Sequence, residues 1–187
     1  GQGVPLNYGK ALEWYQKAAD QGNIKAQFNL GLLYANGQGT ERNYAKAREW
    51  YQKAADQGSA DAQNNLGRMY SNGQGVPQDY AKALEWYQKA ADQGSDTAQF
   101  NLALIYENGQ GVPKNYTQAA AWFRKAAEQG NAMAQFNLGM SYAEGQGVPK
   151  NHTQAAAWFR KAADQGDDNA QYNLATLYYR GLGVPKI

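Results

Sequence analysis

Cysteine is absent from this chain of 187 residues. Neither a disulfide nor a thiolate metal site can staple it, so its fold must hold by packing. Histidine occurs once, at His152. One imidazole without a thiol makes neither a zinc site nor a Cys-His arrangement, and it stands in no Ser-His-Asp pattern. No run of 18 apolar residues is present, which excludes a membrane-spanning helix. Charge of one sign is also missing: 18 Lys and Arg stand against 16 Asp and Glu, a net of +2. The basic residues are spread along the chain and form no long run, so there is no electrostatic footprint for nucleic acid.

What the chain has is a repeat. Its only tryptophans, Trp14, Trp50, Trp86, Trp122 and Trp158, lie 36 residues apart without insertion or deletion. Such a period signals a stack of supersecondary units. Each repeat holds two stretches with helical spacing, separated by glycine-containing punctuation. The tryptophan segments are expected near 7–21, 43–57, 79–93, 115–129 and 151–165. The partner segments are expected near 24–36, 60–72, 96–108, 132–144 and 168–180. This makes an all-α chain of about ten helices. Asn7, Asn43, Asp79, Asn115 and Asn151 stand where a side chain can cap the tryptophan segments. Gly22 and its copies close those segments, and Gly37 and its copies close the partner segments. Val-Pro then follows in most copies. Thr40-Glu41 breaks that pattern, so its loop is expected to be looser.

On a helical wheel, Ala26, Leu30, Gly31, Leu33 and Tyr34 share one arc of the partner segment, and Ala47, Trp50, Tyr51, Ala54 and Ala55 share one face of the tryptophan segment. The column Gly31, Gly67, Ala103, Gly139, Ala175 holds only small residues and predicts a close approach, with the Ala54-Ala55 pair as its expected counterpart. The column of Asn29, Asn65, Asn101, Asn137 and Asn173 is expected to bond backbone in an adjacent turn. Glu13/Lys17, Glu49/Lys53 and Glu85/Lys89 have the spacing of weak ion pairs, and the lysine column reads as a solvated face. Arg124, Lys125, Arg160 and Lys161 would give a more basic patch in the later repeats.

These residues resemble the Sel-one-like repeat (SLR) family, relatives of the tetratricopeptide repeats. One copy carries the whole motif: Ala62, Leu66, Gly67, Tyr70, Gly73, Gly75, Val76, Tyr80, Ala83, Trp86, Lys89, Ala90, Ala91 and Gly94. The resemblance covers essentially the whole chain. It implies a right-handed α/α superhelical solenoid acting as an interaction scaffold, from a bacterial protein, with a periplasmic or secreted setting favoured. Residues 1–187 then read as a single array. The first residues are Gly-Gln-Gly and no capping helix is visible, so a fragment of a longer array with partly exposed end faces is expected. Some disulfide-bearing members are described as β-lactamases or penicillin binders; this chain has neither their cysteines nor an S-x-x-K motif.

Because recurrence marks structure, variation between copies marks freedom to specialise. The varying columns of the partner segment are those of Phe28, Leu32, Ala35 and Asn36. In related solenoids this helix lines the concave face. The resemblance therefore implies a groove containing Phe28, Leu32, Asn64, Arg68, Phe100, Leu104, Glu107, Phe136, Met140, Glu144, Tyr172 and Tyr179. Its mix of apolar and scattered polar groups suits a protein or peptide partner, with no catalytic residue, cofactor or metal. The phenylalanine column equally suits packing of one partner helix on the next, and a purely structural spacer is the third reading.

Other signals are bland. Gly73-Gln74-Gly75 has no preceding strand and lacks the third glycine of a dinucleotide fingerprint, so it reads as a turn. His152 stands in the column of Tyr44, Tyr80 and Tyr116 and reads as a helix-start ring. Asp164, Asp167, Asp168 and Asn169 lack calcium-loop spacing and read as a helix end with its capping turn. Asn115 and Asn151 begin glycosylation sequons, but capping is their expected role.

Overall fold

A computed structural model describes residues 6–184. Among them are ten helices and no strand. The tryptophan segments form α1 (Tyr8–Asp20), α3 (Tyr44–Asp56), α5 (Tyr80–Asp92), α7 (Tyr116–Glu128) and α9 (His152–Asp164). The partner segments form α2 (Ile24–Asn36), α4 (Ala60–Asn72), α6 (Asp96–Asn108), α8 (Ala132–Glu144) and α10 (Asp168–Arg180).

The helix ends follow local chemistry. Asn7, Asn43, Asp79, Asn115 and Asn151 are the caps of the tryptophan helices, each accepting the backbone N–H three residues on, at 2.9–3.0 Å. Such a cap contributes about 1 kcal/mol. Both sequon asparagines are thus capping residues. Asp167 caps α10 in the same way, which accounts for one member of the acidic group. Each partner helix ends on a left-handed glycine, from Gly37 to Gly181.

The loop through Thr40-Glu41 corrects the expectation of looseness. Asn43 N–H donates to the Tyr34 carbonyl at 2.8 Å, as Asp79 N–H does to Tyr70 at 2.9 Å across a Val-Pro loop. The closing bond runs backbone to backbone, so the loop side chains do not control it.

Two compact units divide the chain, Gly1–Gln93 and Gly94–Ile187. In the first, Ala47, Tyr51, Ala54, Leu30 and Leu66 are the centre of the core. In the second, Phe123, Ala126 and Leu138 form one cluster, and Ala155, Phe159 and Ala162 belong to another. The small column of the partner helices is indeed a place of close approach, but its counterpart differs from the alanine pair expected. A Cβ on Gly31 would lie 2.5 Å from the Tyr51 ring, on Gly67 2.6 Å from Tyr87, and on Gly139 2.6 Å from Phe159. The glycine notch receives the flat ring of the following tryptophan helix. The tryptophans are covered unevenly: Trp50 is 8% exposed and Trp14 is 67% exposed.

Candidate functional site

The partner helices carry both the scaffold and the variable face, and their invariant glutamine column ties them to the tryptophan helices. In the first unit, buried Gln27 donates from Nε2 to the Ala19 carbonyl and accepts from Gln57 Nε2 at 2.7 Å. Gln63 repeats this with the Ala55 carbonyl and Gln93. In the second unit, Gln135 donates to the Ala127 carbonyl and accepts from Gln165. Each buried amide thus takes a carbonyl from the end of the preceding helix and a donor from the next repeat, which satisfies groups that would otherwise be destabilising. Sequence reasoning missed this ladder. Its signal was present in the repeated Ala-Gln and Gln-Gly pairs.

Two members of the asparagine column bond backbone one turn back, as expected of the column: Asn137 Nδ2 donates to the Met133 carbonyl and Asn173 Nδ2 to the Asn169 carbonyl, both at 2.9 Å. The lysine column is exposed but ordered. Lys17, Lys53, Lys89, Lys125 and Lys161 each place Nζ 3.9–4.3 Å from the centre of the tryptophan ring three residues earlier. The expected pairs of Glu13, Glu49 and Glu85 with these lysines do not form. The ammonium groups lie over the indole faces instead, and the one ion pair among the described residues is Lys82–Asp79 at 3.7 Å. Arg124 and Arg160 donate to the Tyr142 and Tyr178 hydroxyls, and Lys125 and Lys161 lie over Trp122 and Trp158. Each cation of the anticipated basic patch therefore has an aromatic partner within its own unit.

The phenylalanine column packs, but on the ring of the following tryptophan helix rather than on the next partner helix. Phe28 lies 5.9 Å from Tyr51, Phe100 5.8 Å from Phe123 and Phe136 5.8 Å from Phe159, all tilted. Phe100 is buried, whereas Phe28 and Phe136 are half-buried. Tyr172, in the same column, is 73% exposed, and Tyr179 is 93% exposed. Asn64, Leu32, Leu104 and Met140 are half-buried, and Arg68 and Glu144 are exposed. Glu107 is half-buried. Burial raises its carboxyl pKa and nearby Glu144 adds to the rise, against the opposing pull of Lys114. The variable columns of α6 and α8 thus offer Leu104, Glu107, Met140 and Glu144 above a covered phenylalanine.

The aromatic of the tryptophan helix differs between the units. Tyr51 and Tyr87 occupy it in the first, Phe123 and Phe159 in the second. Burial pushes both tyrosines up to about 12 from an ordinary 10.0, and Arg68 partly offsets this. A raised folded-state pKa gives stability that is complete below pH 10 and lost as pH rises toward 12, because the unfolded chain ionises first. Each tyrosine is expected to cost about 2 kcal/mol over that interval. Circular dichroism against pH should show helix loss beginning above pH 10, and the Tyr51→Phe/Tyr87→Phe variant should delay it. Identical alkaline curves for both proteins would mean that neither ring is held neutral by burial.

The glycine notch, the Lys-over-Trp faces and the glutamine ladder recur with the 36-residue period, and the Sel1 repeat model matches that period. The matches fall on residues 1–23, 24–59, 60–95, 96–131, 132–167 and 168–186. The chain belongs to the Sel1 repeat family. Sel1 repeat proteins are generally protein-interaction scaffolds, and the fold is typically non-catalytic. A protective antigen from uropathogenic Escherichia coli displaying an SLR fold is 39% identical, with a TM-score of 0.92 over 97% of this chain and 39% of that one. A Sel1 repeat protein from Oxalobacter formigenes is 39% identical, with a TM-score of 0.88 over 99% of this chain and 74% of its own. An immunity protein from Pseudomonas aeruginosa is 29% identical, with a TM-score of 0.60 over 90% of this chain and 62% of that one. This chain therefore spans 39% of the length of the Escherichia coli protein. No curated protein matches it in a sequence search. Among the described residues, no helix is long and apolar enough to cross a membrane.

Proposed function

We propose that this Sel1 repeat chain is a non-catalytic scaffold that binds a protein or peptide partner along the variable face of its partner helices. One contrast carries the reading. The positions that hold the repeats together scarcely vary, whereas the columns of Leu104 and Glu107 change chemistry from copy to copy. Leu104, Met140 and Glu144 are the proposed centre of contact in the second unit, with buried Phe100 as support beneath them. Glu107 would set polarity at its edge. A partly apolar surface with separated charges suits a peptide or a partner's helix. The relatives include a protective antigen and an immunity protein, and a bacterial adaptor in envelope, signalling or host-contact processes fits that company.

The test is affinity capture from lysate and envelope fractions, with a Leu104→Arg/Met140→Arg variant as comparison. Arg68 and Thr176 already stand in that column, so the repeat accommodates a polar residue there. Helicity should be unchanged and recovery of a specific partner should fall at least about tenfold, as expected when central interface residues are replaced. Equal recovery by both proteins would move the binding surface elsewhere, and no specific recovery by either would favour a spacer.

A further inference from the structure

We propose that the first unit carries a carboxylate-binding pocket between α2, α3 and α4, built on Tyr51 and Arg68 and taking an acidic group of a bound peptide. This deepens the scaffold reading and rests on it. The pocket has a volume of about 280 Å³, room for about one side chain or chain end, and Ala35, Asn36, Tyr51, Arg68, Asn72 and Gln74 are among its lining residues. Tyr51 is 1% exposed, and its hydroxyl has no hydrogen-bond partner. An unpaired buried hydroxyl is destabilising and calls for an explanation.

Comparison between copies supplies one. Tyr87 occupies the Tyr51 position one repeat later, where the Ser71 side chain stabilises its oxygen and lowers its burial-raised pKa. Ala35 stands where Ser71 stands, lines the pocket and has no side-chain hydroxyl. Phe123 and Phe159 lack the hydroxyl altogether. The first repeat therefore keeps a hydroxyl that its neighbour cannot pair with, on a residue that lines an open pocket. The hydroxyl is a proton donor at neutral pH, as an ordinary tyrosine is, and burial moves its ionisation still further away, to about 12.

Arg68 provides the charge. It is exposed, and no hydrogen bond or ion pair engages it among the described residues. Asn36 and Asn72 add amide donors, and no acidic residue lines the pocket. One guanidinium with neutral donors matches a singly charged carboxylate, which a guanidinium binds through paired N–H groups. A phosphate would call for more positive charge. The corresponding positions of the second unit hold Glu107, Phe123, Met140 and Glu144, which offer neither cation nor hydroxyl.

The test is an NMR titration of the full chain with N-acetylglycine, which presents a terminal-type carboxylate, and with N-acetylaspartate α-methylamide, which presents a side-chain carboxylate. N-acetylglycinamide is the neutral control and inorganic phosphate the competing anion. Saturable shifts of the Arg68 side-chain N–H and the Tyr51 ring are expected with a carboxylate and not with the amide. The better of the two carboxylates assigns a chain end or an acidic side chain. Arg68→Gln should weaken binding roughly tenfold, as loss of a charge-assisted pair does. Ala35→Ser, which gives the hydroxyl the partner that Tyr87 has, should weaken it several-fold with helicity intact. No saturable shift, tighter binding of phosphate than of either carboxylate, or unchanged binding by Arg68→Gln would overturn the proposal. Failure here with partner capture intact removes only the pocket, whereas carboxylate binding without any captured partner removes the scaffold reading.

Discussion

Phe123→Ala is expected to destabilise the second unit by roughly 3–5 kcal/mol, the cost of truncating a fully buried ring. Phe123 is 0% exposed, pairs with Phe100 and packs in one cluster with Ala103 and Leu138. Truncation would remove the ring that packs α7 on α6 and leave a cavity between these helices. A loss of that size is a large part of the stability of an ordinary domain. Phe123→Tyr should cost far less, on the order of 1 kcal/mol, because Tyr51 and Tyr87 already occupy this position in other copies. Urea unfolding followed by circular dichroism would compare the two. A Phe123→Ala loss no larger than that of Phe123→Tyr would show that the ring is not what holds the unit.

Gly147→Ala is the second large effect, and it separates two consequences of losing a glycine. Gly147 has φ +72° and would place a Cβ 2.0 Å from the Tyr116 carbonyl oxygen and 2.8 Å from Thr117 N. Both neighbours are backbone at the start of α7, so no side chain can swing aside. Gly130 also has positive φ, +99°, but nothing lies within 4 Å of its would-be Cβ. Gly130→Ala should therefore cost only the conformational part, about 1–2 kcal/mol. Gly147→Ala should exceed it by roughly 2 kcal/mol or more, because the loop must lift away from the helix start. The difference between the two urea midpoints isolates the close approach. Equal midpoints would mean that the second glycine of the Gly-Gln-Gly turn serves only its own conformation.

The same contrast explains how much could be read early. Asn43 and Gly37 marked helix ends correctly because a cap and a left-handed turn act within a few residues of themselves. The packing column of Gly31 was equally visible, but its partner was not. Tyr51 and the Ala54-Ala55 pair share one face of α3, and a wheel cannot say which of them enters the notch. Nor could it say that Lys53 would lie over Trp50 instead of pairing with Glu49, since both neighbours are within reach on the helix surface. Of the twelve residues placed on the variable face, the structure separates buried Phe100 from exposed Arg68 and Glu144, a distinction set by the following helix. The pocket was out of reach for the same reason, because it depends on Ala35 in α2 facing Tyr51 in α3.

The amino-acid sequence by itself determined the repeat period, the number and ends of the helices and the small and aliphatic columns of the core, because these follow from local capping, turn conformation and helical periodicity; it did not determine how far each tryptophan is covered. Only the tertiary structure decided which ring fills the glycine notch, where the glutamine ladder runs and which tyrosine hydroxyl is left without a partner. Those depend on residues in different helices, Gln57 and Gln27 among them. In a tandem repeat every column recurs in every copy, so the pattern names the columns without saying which of them meet.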